Sequence, residues 1–295
     1  MEFHQLRYFL AVAREANFSR AAETCHVSQP SLSQQIQKLE EELGEKLFSR
    51  LKRRAVLTAA GEALVPRAAR ILSEAESARQ DVADASQLVR GRVQVGVLPT
   101  IAPYLLPRVL LLAARECPGL EVIIHEEPTA RLLHLTGACE IDLAIISSSP
   151  PDERLLAETL LEEELLLALP AGHALAKKRV INLADLDGQR FILMKEGHCL
   201  GDQALHFCTR NEGQPMVAFR SAQLETIQSL ITAGVGISLI PEMARQTERT
   251  ALPVYRSLAQ PRPQRTIRAI WHRDQHQSKA GLEFLRLLRQ VAKRK

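Results

Sequence analysis

The stretch FSRAAETCHVSQPSLSQQIQKLEEELG, residues 18–44, decides how the first part of this chain folds. Ser28 stands just before Gln29 and Pro30. A serine followed by a proline in the first turn starts a helix, because the hydroxyl satisfies an orphan backbone N–H and proline has none to lose there. Leu32, Ile36, Leu39 and Leu43 then recur at spacings of 4, 3 and 4, which is one face of a helix. Gly44 follows in the position where helices commonly end. Upstream, Phe18 to Cys25 predicts a short helix built on Ala21 and Ala22, with His26 and Val27 in the tight turn between the two. Small residues before such a turn let two helices cross closely, as a helix-turn-helix requires.

The face of the second helix away from its apolar stripe carries Ser31, Gln34, Gln35 and Lys38. Ser28, Gln29, Pro30 and Ser33 extend that polar surface at its start. Side chains of these types read base edges or grip phosphates. A basic cluster follows at Lys46, Arg50, Lys52, Arg53 and Arg54, placed as a wing against a nucleic-acid backbone. A short polar face alone reads as a solvated surface. The ordered series of helix, turn, polar helix and basic wing points to double-stranded DNA.

Beyond this head, Leu64, Ala68, Ile71, Ala75, Ala78, Val82, Ala85 and Val89 alternate spacings of 4 and 3. That is the a/d seam of a coiled coil, and it predicts a dimerising linker helix from Ala59 to Val89. The plainer alternative is one amphipathic helix packed on its own domain. From Gly91 onward, short β-rich runs alternate with helical patterns, so an α/β domain with largely parallel sheets is expected. The strands are predicted at Val93–Leu98, Leu120–Glu126, Leu143–Ser147, Leu165–Leu169, Phe191–Met194, Val217–Arg220, Ile237–Ile240 and Thr266–Trp271. Helices are predicted at Ala102–Glu116, Thr129–Thr136, Leu224–Ala233 and Gly281–Lys293. About 200 residues with this many strands suggest two subdomains. The expected division is a head at 1–58, a linker at 59–90 and an effector domain at 91–295. Subdomain I would take about 91–162 and 267–295, and subdomain II about 163–266. A ligand site in such a fold lies at strand ends, in the crevice between subdomains.

Composition bounds the function. The chain has 295 residues and a formal net charge of +4, which permits nucleic-acid binding without requiring it. No apolar run has the length of a membrane span. The first residues lack a basic region leading into an apolar one, so the cytoplasm is the expected location and no membrane partner is expected. The five cysteines, Cys25, Cys117, Cys139, Cys199 and Cys208, are odd in number and widely spread, unlike a secreted disulfide framework. None has zinc spacing, so no metal and no cofactor is expected. Cys25, Cys117 and Cys139 read as small buried hydrophobes.

Leu6–Phe9 with Ala11–Ala13, then Phe18–Ala22, Val27–Leu32, Ile36–Leu43, Gly44–Arg50 and Leu57–Gly61, resemble the LysR-type transcriptional regulators. The third segment is similar to that family's periplasmic-binding-protein-like effector domain, so the resemblance covers essentially the whole chain. It implies an N-terminal all-α winged helix-turn-helix plus long linker helix, and a C-terminal α/β effector domain of two Rossmann-like subdomains. Within the family the chain resembles the peroxide-sensing members. The run LMKEGHCLGDQA at 193–204 carries most of this, joined by Phe207-Cys208, Ser221 to Pro241, Leu98-Pro99-Thr100, Pro103 to Pro107 and Arg265-Thr266-Ile267. One departure stands out: Gly201 occupies a place where that pattern has a basic residue.

The resemblance implies that Cys199 attacks peroxide and that Cys208 resolves the product as a disulfide. Thiolates, not thiols, attack peroxide, and the sulfenic acid that forms condenses with a second thiol. Thr100, Thr129, His198, Asp202, Gln203 and Arg265 are then the polar surroundings: Arg265 favours the thiolate, Thr100 and Thr129 bond the peroxide or the sulfur, and His198 or Asp202 moves a proton. The implied partners are promoter DNA, RNA polymerase, further copies of the chain as a dimer of dimers, and hydrogen peroxide as signal. The implied outcome is activation of oxidative-stress defence genes by a protein that is not an enzyme. A thiol peroxidase would have no use for the helix-turn-helix. A regulator that binds a small organic effector in the crevice is the alternative reading. The spacing adds one argument of its own: nine residues of helix turn through about 900° and rise about 13.5 Å. A disulfide needs Cα atoms within about 7 Å. If the segment is helical when reduced, closure demands local unfolding.

Overall fold

The computed structural model describes residues 1–51, 54–83, 90–209, 215–245 and 253–293. The head holds α1 (Phe3–Glu15), α2 (Phe18–Thr24) and α3 (Gln29–Leu43), followed by a hairpin of β1 (Phe48–Leu51) and β2 (Arg54–Leu57). Ser28 caps α3 by accepting from the Ser31 N–H, and Gly44 ends it at φ 74°. Asn17 caps α2 through the N–H groups of Ser19 and Arg20. Leu6, Phe9, Val12, Ala21, Leu32, Ile36 and Leu39 form one buried core. The expected basic wing is this hairpin, an antiparallel β-structure. Glu40 holds it, accepting from the Leu47 and Phe48 N–H groups and pairing with Lys46 at 2.7 Å.

Helix α4 (Ala59–Ala83) is the linker. Its stripe does two things. Ala68 is fully buried in the head core, and Leu64, Val65, Ile71 and Leu72 pack against that core. The first half of the predicted seam therefore serves the head of the same chain, while Ala78 is exposed. Ala85 and Val89 lie outside the described residues.

The effector domain runs β3 (Arg90–Val97), α5 (Ala102–Glu116), β4 (Gly119–Glu126), α6 (Thr129–Gly137), β5 (Leu143–Ile146) and β6 (Leu155–Leu169). There follow β7 (Arg190–Met194), α7 (Cys199–Thr209), β8 (Met216–Ser221), α8 (Leu224–Thr232), β9 (Ser238–Pro241), β10 (Val254–Arg256), β11 (Gln264–His272) and α9 (Lys279–Ala292). The strand order is β10-β6-β11-β5-β3-β4, with β9 also on β6 and with β7 and β8 as a separate pair. The expectation of largely parallel sheets needs correcting. β3, β4 and β5 are parallel, as are β7 and β8, but β11 runs antiparallel to both β5 and β6, and β6 antiparallel to β9 and β10. The chain leaves subdomain I along β6 and returns along β11, so the two crossing strands must point in opposite directions.

Two cores result. One gathers Val93, Val95, Val97, Leu105, Val109, Ile145, Ile267, Phe284 and Leu288. The other gathers Leu167, Leu169, Phe191, Ile192, Leu200, Phe207, Ile227 and Ile240. Burying each such aliphatic side chain contributes about 1.5–3 kcal/mol. Gly96 lets α6 lie directly on β3, because a Cβ there would stand 2.5 Å from the Leu132 side chain.

Candidate functional site

Val97 of β3 and Ile145 of β5 are partners on adjacent parallel strands. Just past their C-terminal ends come Thr100 and Ser147, both buried. Helix α7 of subdomain II begins against this edge, and Cys199 is its first residue. Its Sγ lies 3.0 Å from the Ser147 hydroxyl oxygen. Cys199 packs against the core of subdomain I, whereas Leu200, Ala204, Phe207 and Cys208 of the same helix belong to the core of subdomain II. The thiol thus sits on the seam between the halves. One turn on, the Gln203 amide donates to the Ser147 carbonyl at 2.7 Å, so the start of α7 is clipped twice to one residue. The buried Gln203 Oε1 and Thr129 Oγ1 have no hydrogen-bond partner within the protein. Such atoms are exceptions in a folded chain, and they can bond a small polar guest.

Arg265, the second residue of β11, lies opposite Glu163 of β6. The pair is fully inside: the side chains are 0% and 1% exposed, with Nε 2.7 Å from Glu163 Oε1. The fork of Arg265 also donates to the Thr100 hydroxyl and the Thr100 carbonyl, each at 3.2 Å. The second oxygen of Glu163 accepts from the Met243 N–H at 2.8 Å. An isolated charge would not survive such burial; here each is paired and hydrogen-bonded.

Cys208 occupies the other end of α7, 3% exposed among apolar side chains. Burial pushes its thiol up to about 12. It stands nine positions along the helix from Cys199, about 13.5 Å along the axis and on the opposite face. All five cysteines are free thiols. Cys117 and Cys139 are buried, as expected, and Cys25 is half-buried.

The other expected residues are placed less centrally. His198 precedes α7, half-buried, its N–H bonded to the Lys195 carbonyl. Asp202 is exposed. Gly201 has a steric reason to be glycine: a Cβ there would stand 2.9 Å from the Met194 carbonyl oxygen, so α7 lies against β7 with no room for a side chain. Ser147 and Glu163 escaped the sequence reading. Ser147 could have been found as a hydroxyl at a strand's C-terminal end. Glu163 sits in the run EEE at 162–164, which looks like a solvated charge cluster.

On α3, Ser28, Gln29, Pro30, Ser31, Gln34 and Lys38 are exposed. Four of the expected contact residues have local partners. Ser28 is used as the cap, and Gln35 accepts from the Gln5 amide at 3.2 Å. Gln29 donates to Ser33 at 2.8 Å. Lys52 and Arg53 lie outside the described residues, and of Arg50 and Arg54 only the backbone is described. Among the described residues no helix is long and apolar enough to cross a membrane, and no group of three or more His, Cys, Asp or Glu side chains could hold a metal.

Two family models cover most of the chain: bacterial regulatory helix-turn-helix protein, lysR family, over residues 3–62, and LysR substrate binding domain, over residues 86–293. The DNA-binding transcriptional dual regulator OxyR of Escherichia coli K12 is 36% identical over 272 residues, 92% of this chain and 89% of the relative. A variant of full-length OxyR from Pseudomonas aeruginosa superimposes with a TM-score of 0.80 at 30% identity, covering 100% of this chain and 98% of that one. A variant of Corynebacterium glutamicum OxyR with H2O2 bound gives a TM-score of 0.64 at 30% identity, covering 99% and 94%. With a helix-turn-helix head, a linker helix and a two-subdomain effector domain all matched, the chain belongs to the LysR family of bacterial transcription regulators.

Proposed function

We propose that this regulator senses hydrogen peroxide at Cys199 and answers by joining Cys199 to Cys208, activating oxidative-stress defence genes. The thiolate of Cys199 attacks one peroxide oxygen. An S–O bond forms and the O–O bond breaks; sulfur is oxidised, and the other oxygen leaves as hydroxide, which takes up a proton to become water. Cys208 then attacks the sulfenic sulfur, an S–S bond forms and a second water leaves. The observation that carries this reading is the contrast along α7: one thiol on the inter-subdomain seam, 3.0 Å from Ser147, and the other buried behind the same helix. The relatives named for OxyR and for hydrogen peroxide-inducible genes support it.

Thr100, Thr129 and Gln203 would bond the peroxide, and Arg265 would supply positive charge beside it. His198 and Asp202 would serve proton movement. In the head, the exposed face of α3 with Arg50, Arg53 and Arg54 would contact promoter DNA. The head at 1–58, the linker at 59–90 and the effector domain at 91–295 would act as units, with the far part of the linker stripe joining two copies and effector domains joining dimers into a tetramer. Recruitment of RNA polymerase in the cytoplasm completes the mechanism.

Footprinting of reduced and peroxide-treated protein, alongside Cys199→Ser, tests the reading. The footprint should change with peroxide in the parent chain and stay fixed in Cys199→Ser. Identical footprints before and after peroxide in the parent chain contradict it and favour an organic effector in the crevice.

A further inference from the structure

Glu163 is buried, charged and absent from the chemistry above. Its two oxygens are both committed, one to the Arg265 Nε–H and one to the Met243 N–H. Thr100 lies after β3, beside the edge where Ser147 meets Cys199. The Thr100 hydroxyl accepts from Arg265. A hydroxyl has one proton of its own, so an oxygen that accepts from a guanidinium still has that proton to donate. The polarity of Thr100 is thus set by where Arg265 points, and Arg265 is aimed by Glu163 from across the strand pair.

We propose that Glu163 is a positioning residue for peroxide reduction: it locks the Arg265 fork onto Thr100, so that Thr100 presents a hydrogen-bond donor to the peroxide. This rests on the peroxide reading. The donor matters only in the first step, where the O–O bond breaks as the S–O bond forms and the departing hydroxide needs hydrogen bonds. An alkylating agent such as iodoacetamide also takes the Cys199 sulfur, but it expels iodide and gains little from that donor. The two reagents therefore separate a positioning role from a general change in the thiol or the fold.

In Glu163→Gln, the amide oxygen can still accept from Arg265, but the ion pair is gone and the NH2 group faces the Met243 N–H, donor against donor, so the fork is held less firmly. The experiment measures the second-order rates of Cys199 with hydrogen peroxide and with iodoacetamide in the full-length chain, for the parent, Glu163→Gln, Thr100→Val and the double variant. Positioned proton donors contribute about 10²-fold or more. The expected result is a peroxide rate about 100-fold lower in Thr100→Val and about 10-fold lower in Glu163→Gln. The double variant should be no slower than Thr100→Val, with alkylation unchanged throughout. If Glu163→Gln does not fold, Glu163→Asp keeps the charge on an arm one methylene shorter and should give a smaller selective loss. An unchanged or raised peroxide rate in the folded variant, an equal slowing of alkylation, or losses that multiply in the double variant overturns the proposal. A parent chain that forms no sulfenic acid at Cys199 sinks the peroxide reading itself; a reactive parent with unaffected variants sinks only the role of Glu163.

Discussion

The two ends of α7 are built for opposite purposes. At the first residue, Cys199 is half-buried on the seam between subdomains with a hydroxyl 3.0 Å away. At the tenth, Cys208 is enclosed by apolar side chains, and its thiol is pushed up to about 12. A small polar oxidant meets the first sulfur and not the second. In the proposed mechanism, oxidation at Cys199 and closure to Cys208 are therefore separate events. The first needs only access to the seam, while the second needs the helix between the thiols to come apart.

The largest effect should come from removing the buried end. Cys208→Ser should abolish the disulfide while leaving sulfenic acid at Cys199, seen as accumulation of a dimedone adduct by mass spectrometry. Loss of Cys199 oxidation in that variant would break the division of labour.

The pH dependence of closure comes next. The neutral thiol of Cys208 is favoured by the folded, reduced protein, since burial raises it from an ordinary value near 9.0 to about 12. Below pH 9 that stabilisation is complete, and it is lost as pH rises toward 12. If closure goes through an opened helix, the attacking thiol has its ordinary acidity. The closure rate should then rise about tenfold per pH unit and level off near pH 9. A rise continuing toward pH 12 would mean that Cys208 attacks from its buried site.

Gly201→Ala should weaken the helix that separates the ends. Its Cβ would meet the Met194 carbonyl at 2.9 Å, and overpacking of this kind costs about 1–3 kcal/mol. The reduced protein should melt earlier and close its disulfide faster, read by calorimetry and stopped-flow. Unchanged closure with a lower melting temperature would separate helix stability from the switch. The smallest effect is expected from Ser147→Ala, which removes one hydrogen bond to Cys199 while Gln203 keeps the Ser147 carbonyl. It should cost about 0.5–1.5 kcal/mol in denaturant unfolding of the reduced form. A loss above that range would assign Ser147 a larger structural part.

The head was the most legible region, because its signals are local. Ser28, Pro30, Leu32, Ile36, Leu39 and Gly44 lie within one helix and its caps, and each does what its chemistry predicts; Leu43, the last of the stripe, is exposed beside the helix end. The central strands showed as apolar runs for the same reason. β10 is three residues long and leaves no pattern. The first half of β6 hides because Glu158 and Glu162–Glu164 interrupt its apolar residues. Helix α7 was absent from the periodic helices and entered only through the resemblance around Cys199. The site was half legible. The cysteines, Thr100, Gln203 and Arg265 came from that resemblance. Ser147 and Glu163 did not, because their meaning lies in partners 52 and 102 residues away: Cys199 reaches Ser147 from the start of α7, and Arg265 reaches Glu163 by the return of β11 along β6. Nothing within a sequence window marks Glu163 as buried, since its neighbours in the EEE run carry the same charge.

In the proposed switch, α7 holds the two thiols apart until oxidation makes their joining favourable. Hydrogen exchange of the segment from 195 to 220, before and after one equivalent of peroxide, with mass mapping of the same samples, tests it most directly. Amides of α7 should be protected in the reduced protein and released in the oxidised one, with a Cys199–Cys208 disulfide in the latter. A disulfide formed with the protection of α7 intact would contradict it.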